Sequence, residues 1–134
     1  MKSVSVLAAL SAIALPAPAG SAQVPDARPT LRATALCLQQ ADRDTDLVPT
    51  QIDRLCIATP SPRMPVDCYI AASRSLLLTD DQSIELCRCT ATMEPITCFE
   101  ATHNGSLLTE TEILALCSPT ITRGLGDDCR PFYR

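Results

Sequence analysis

Pro65-Val66-Asp67-Cys68-Tyr69 leads to Leu86-Cys87, and Pro95-Ile96-Thr97-Cys98-Phe99 leads to Leu116-Cys117. In both stretches 18 residues lie between the two Cys, and Leu78-Thr79 and Leu108-Thr109 sit at the same offset before the second. Working outward, Cys37 and Leu55-Cys56 keep this spacing upstream, so the period is 31 and then 30. Downstream, Cys129 falls 31 residues after Cys98, at the opening position of a truncated fourth unit. Self-similarity at a fixed period marks a tandem array. The first unit matches least well, as a terminal cap does.

Each unit reads as a helical hairpin. Pro65 suits a helix first turn, and helix A of the second unit then runs to about Ser75. Thr79-Asp80-Asp81-Gln82 and Thr109-Glu110-Thr111-Glu112 have the form of capping boxes. In such a box the hydroxyl accepts a backbone N–H, and the Gln or Glu reaches back to the cap residue. Acids there also favour the positive end of the helix dipole. Helix B carries Ile52/Leu55/Cys56 in the first unit and Ile113/Leu116/Cys117 in the third, an apolar stripe at i, i+3, i+4. The second unit departs from it, with Ser83 first and Ile84 one later. Pro49 marks a helix start in the first unit. Thr102-His103-Asn104-Gly105-Ser106 reads as the turn of the third hairpin.

The expected fold is all-α: a short, disulfide-stapled, α-solenoid-like array of about three helical hairpins with a truncated fourth unit. Repeats occupy 34–63, 64–93 and 94–123, and a tail covers 124–134. A flexible arm covers 23–33, and Thr59-Pro60-Ser61-Pro62 links the first two units. Helices of about ten residues are unstable alone, so staples matter. In an antiparallel hairpin the start of helix A lies beside the end of helix B. Pairing 37–56, 68–87 and 98–117 would therefore close each open end, leaving Cys89 for Cys129. A competing register joins 56–68, 87–98 and 117–129 and leaves Cys37 with Cys89.

Residues 1–22 read as a secretory signal peptide. Lys2 is the positive n-region, Val4 to Leu15 the apolar core, and Gly20-Ser21-Ala22 the cleavage site, with a cut after Ala19 as the alternative. Twelve apolar residues span about 18 Å as a helix, short of a bilayer core of about 30 Å. The expected location is secreted or periplasmic, with no integral membrane segment in the mature chain. Lys2 is the only Lys, so the mature chain keeps 10 Arg against 15 acids. Such an acidic chain repels phosphate backbones, which argues against a nucleic-acid partner. Leu, Ile, Val and Phe make up only about 23% of it, close to the composition of disordered chains. Four disulfides, each contributing about 2–4 kcal/mol, would compensate.

Residues able to carry chemistry are few. His103 is the only His and falls in the predicted turn of the third unit. Cys87, Cys89, Cys98 and His103 form a conceivable zinc set, but Cys-x-Cys is tighter than usual ligand spacing. Cys87-Arg88-Cys89 also admits a redox reading, with Arg88 favouring a thiolate. In isolation it resembles the Cys-x-Cys of plant lipid-transfer proteins. This chain lacks the adjacent Cys-Cys pair that their pattern needs, so nothing carries over. Asp80/Asp81, Glu110/Glu112 and Asp127/Asp128 are carboxylate pairs, the first two placed for helix capping. Asn104-Gly105-Ser106 is an N-glycosylation sequon. Tyr69 and Phe99 follow their opening Cys and either pack between units or face a partner.

The expected function is a secreted protein-binding or structural module without catalysis, using no cofactor or metal. The partner is a protein or an extracellular surface. The alternatives are an inhibitor or effector acting on a foreign protein, or a thiol-redox or metal-binding protein through Cys87 and Cys89.

Overall fold

The computed structural model describes residues 31–122 together with Gly124, Leu125 and Cys129. The signal-peptide reading of 1–22 and most of the arm and tail lie outside them. Among the described residues seven helices follow one another: α1 Leu31–Asp44, α2 Pro49–Cys56, α3 Met64–Ser75, α4 Asp80–Cys87, α5 Glu94–Gly105, α6 Glu110–Cys117 and the single turn α7 Pro119–Thr122. The strongest packing is within the pairs α1/α2, α3/α4 and α5/α6. Between pairs, α1, α3 and α5 lie side by side in one layer and α2, α4 and α6 in a second. The chain is thus an all-helical array of three hairpins.

Two expected boundaries shift. Helix α1 starts at Leu31, so the end of the expected arm at 33 is helical. Its buried residues Ala33, Cys37, Gln40 and Ala41 form a helical stripe that runs back through Ala33 into the arm. Helix α5 runs to Gly105, so His103 and Asn104 belong to its last turn rather than to the loop. Adding the period of 30 to Ser75, the end of α3, gives Gly105. Repeat register, together with a Phe99–His103 stack, overrides the turn-forming composition of Asn-Gly.

Helix starts follow their side chains. Thr79 Oγ1 accepts from the Gln82 N–H at 3.3 Å, and Gln82 Oε1 accepts from the Thr79 N–H at 2.8 Å. Thr109 and Glu112 repeat both bonds at 3.4 and 2.8 Å. In the first hairpin Val48 has no acceptor to offer. Only the return bond survives there, from the Val48 N–H to Gln51 Oε1 at 3.2 Å, with Pro49 opening the helix.

The linkers are also built alike. Ala58 and Cys89 occupy equivalent positions, and both take the left-handed conformation, at φ 52° and 63°. The next residue turns the chain. Thr59 is fully buried, donates to the Ser61 carbonyl at 2.8 Å and accepts the Ser61 N–H at 3.2 Å. Thr90 does the same with Thr92, at 2.6 and 3.2 Å. In the third unit this left-handed position is Pro119, whose ring fixes φ near −65°. The linker geometry cannot form, and the chain makes the turn α7 instead.

The core is thin and aliphatic. Leu55, Val66, Ile84, Leu86 and Ile113 are fully buried along the interface between the layers, among six of the eight half-cystines.

Candidate interaction site

The eight sulfurs pair as Cys37–Cys56, Cys68–Cys87, Cys98–Cys117 and Cys89–Cys129, and no cysteine is free. The first three bridge one hairpin each, at Cα separations of 5.5, 5.5 and 5.6 Å. The fourth brings the tail back past the third hairpin. Cys129 Sγ lies 3.5 Å from the Ile57 carbonyl, so the tail reaches the linker between the first and second hairpins.

This pairing decides several candidates. Cys87 and Cys89 belong to different disulfides, and Cys98 to a third. The sulfurs of the conceivable zinc set are therefore bonded sulfurs rather than thiolates. His103 is exposed and stacks on Phe99, with ring centroids 5.9 Å apart and planes at 14°. Asn104 is exposed in the last turn of α5. Tyr69 and Phe99, considered as partner contacts, are both buried in the array, at 7% and 2% exposure. Tyr69 bonds Asp80 within its own hairpin, and Phe99 stacks on His103 of its own helix.

The carboxylate pairs are engaged locally. Tyr69 Oη donates to Asp80 Oδ1 at 2.8 Å, and Arg54 Nη1 to Asp81 Oδ1 at 2.6 Å. Burial pushes the Tyr69 phenol up to about 12, helped by the bond to Asp80 and by the charges of Asp80 and Asp46. The Glu112 carboxyl is held below its ordinary value, because it accepts the Thr109 N–H and hydroxyl. Asp127 and Asp128 lie outside the described residues.

Three of the hollows among the described residues bear on the candidates. One, of about 400 Å³, lies at the loop end between the first two hairpins and is polar, lined by Asp44, Asp46, Tyr69, Arg74 and Asp80. The second, of about 390 Å³, is a groove along α2, α4 and α6. Its floor is Leu114, Ala115 and Ile121, and its rim is the Arg54–Asp81 ion pair with Gln82 and Glu85. An apolar floor under a rim of donors and acceptors suits an amphipathic peptide segment. The third is an end hollow of about 240 Å³ beside Cys98–Cys117.

Several structural contacts escape motif reading. Ser118 Oγ donates to the Glu85 carbonyl at 2.9 Å and lies 2.8 Å from Thr120 Oγ1, joining the third hairpin's exit to α4. Gln40 Nε2 donates to Asp67 Oδ1 at 2.9 Å across the first junction. Ser83 stands where Ile52 and Ile113 stand in the other hairpins; it is fully buried, and its hydroxyl has no hydrogen-bond partner among the described residues. The repeat alignment carries the signal for Ser83, as a polar residue in an isoleucine column. Nothing local signals the other contacts. Comparison with protein-family models, with curated proteins and with solved structures finds no match.

Proposed function

We propose that the protein is an exported, non-catalytic binding module in which a solenoid-like stack of disulfide-clamped repeats presents a rigid surface to a protein partner. The reading is carried by one observation. Every sulfur lies in a disulfide, with one equivalent bridge in each hairpin. Bridges of this kind persist in oxidising compartments, which supports export. No helix among the described residues is long and apolar enough to cross a membrane. Each clamp fixes the two helices of one hairpin, and α2, α4 and α6 pack side by side across hairpins. The groove between Arg54 and Ile121 is then preformed, and a partner need not supply the ordering free energy.

The test is native alkylation followed by unreduced peptide mapping, with a thiol–disulfide exchange assay on the same sample. The expected result is no alkylated Cys, the four bridges named above and no turnover of a disulfide substrate. A reactive thiol at Cys87 or Cys89, or catalytic exchange, overturns the module reading in favour of redox chemistry.

A further inference from the structure

Among the described residues, the array ends on a face that no further helix hairpin covers. Leu55 and Leu86 are completely buried, and Leu47 and Leu78 nearly so. The same positions in the third hairpin, Leu116 and Leu108, are 53% and 40% exposed. Cys98 is likewise half-buried, where Cys37 and Cys68 have no exposed surface. Among the described residues the first two hairpins are each followed by another hairpin, and the third by the turn α7. Pro95, Cys98, Leu116 and Pro119 line the hollow left there, with Glu94 also on its wall.

The polar pattern of this face is inverted. Three side-chain bonds between hairpins run from a donor on the earlier one to an acceptor on the later one, while Ser118 at the third hairpin's exit donates back to the Glu85 carbonyl. Gln40 Nε2 donates to Asp67 and Arg54 Nη1 to Asp81 at the first junction, and Gln82 Nε2 donates to Glu110 at the second. On the third hairpin the positions of Gln40 and Arg54 are Ala101 and Ala115, and that of Gln82 is Glu112. Between 94 and 122 there are four Glu and no Lys or Arg. The last hairpin thus shows a carboxylate where its predecessor shows an amide donor.

We infer that this end face docks a basic amphipathic helix of another protein. An apolar stripe would cover Leu108 and Leu116, and a flanking Lys or Arg would face Glu112. Complementary charge beside an apolar centre supplies both orientation and selectivity. A second copy is the poorer fit. Two end faces would bring Glu112 against its own copy. Head-to-tail stacking would cover the exposed Asp53, which stands where Ile84 and Leu114 are buried.

The inference rests on the binding-module reading, and the experiment separates the two. Full-length oxidised protein is titrated with a Leu/Lys amphipathic peptide of about 18 residues, long enough to be helical when bound. A twin carrying Glu for Lys is the control, and amide chemical shifts are followed. Saturable binding of the Lys peptide is expected, with shifts around Leu108, Leu116 and Thr122. Leu116→Ser, at a half-exposed position that leaves the fold intact, should weaken binding about tenfold. Glu112→Gln keeps the capping box, as Gln82 shows. It should weaken binding about threefold and reduce the salt dependence. The proposal is overturned by equal binding of the Glu twin, by shifts confined to the Arg54–Ile121 groove, or by no saturation at millimolar peptide. A dimer abolished by Leu116→Ser would assign the face to a second copy instead. Each of these leaves the four-disulfide module standing, whereas a reactive thiol or turnover removes the module itself.

Discussion

At the scale of single residues, two buried polar groups show how environment sets the energetics. Ser83 places a hydroxyl at a position that its counterparts fill with isoleucine, and the hydroxyl has no partner among the described residues. An unsatisfied buried polar group costs about 1–3 kcal/mol, and Ala is also the better helix former. Ser83→Ala should therefore raise unfolding stability by about 1 kcal/mol in denaturant titration; a loss of stability would show that the hydroxyl is bonded. Tyr69 differs because its hydroxyl has Asp80 as acceptor. Its folded-state value of about 12 lies above the ordinary phenol value of 10.0, so the fold favours the neutral form. The sign follows from linkage. The stabilisation is complete below the unfolded phenol's pKa and is lost as pH rises through the folded one. Stability should stay level up to about pH 10 and fall towards pH 12. Tyr69→Phe should flatten that alkaline limb in rapid-mixing unfolding measurements.

At the scale of the element, the linkers separate what the sequence states from what it hides. The capping boxes at Thr79 and Thr109 are written in local residue types, because the chemistry is side chain to nearby backbone. The helix starts at Pro49 and Pro65 are legible for the same reason. The left-handed positions are not. Ala58 and Cys89 carry side chains that disfavour positive φ, and nothing near them signals the turn. They hold that conformation because buried Thr59 and Thr90 and the disulfides fix the chain on either side. Ala58→Gly should relieve the backbone strain. It should raise the unfolding midpoint by the equivalent of about 0.5–1 kcal/mol, since the unfolded glycine gains entropy that offsets part of the benefit. The α5 ending was hidden differently. Asn104-Gly105 is turn-like in isolation, and only the alignment with Ser75 marks it as helix. The proposed binding surfaces are the least legible. The groove and the end face arise from which columns are covered by a following hairpin, and coverage is a property of position in the array.

At the scale of the whole molecule, the four bridges are not equally protected. Cys98 is the one half-cystine with appreciable exposure, and among the described residues no hairpin packs over α5 and α6 on that side. Thiolate attack requires access to a sulfur, so graded reduction should open Cys98–Cys117 first. Partial reduction with acid-trapped alkylation reads this directly. Early opening of Cys68–Cys87 would mean that the second hairpin is less well covered than its neighbours indicate. Loop closure by Cys89–Cys129 spans 40 positions against 19 for each hairpin bridge. Removing it as a Ser pair should cost about 4 kcal/mol, against about 3 kcal/mol for a hairpin bridge in the chain-entropy model. Its loss would also release the tail from the Ile57 carbonyl.

That long bridge has a consequence for biogenesis. As the chain is made from its N-terminus, each newly exposed thiol meets the most recent unpaired one. This rule gives Cys37–Cys56 and then Cys68–Cys87, both correct. It then joins Cys89 to Cys98 and Cys117 to Cys129, both wrong. The N-terminal half can oxidise in order of synthesis, while the C-terminal half must reshuffle or wait. Slow maturation should therefore be confined to the last hairpin and tail. Quenched intermediates should carry an 89–98 link beside two finished hairpins, and a disulfide isomerase should accelerate only the final step.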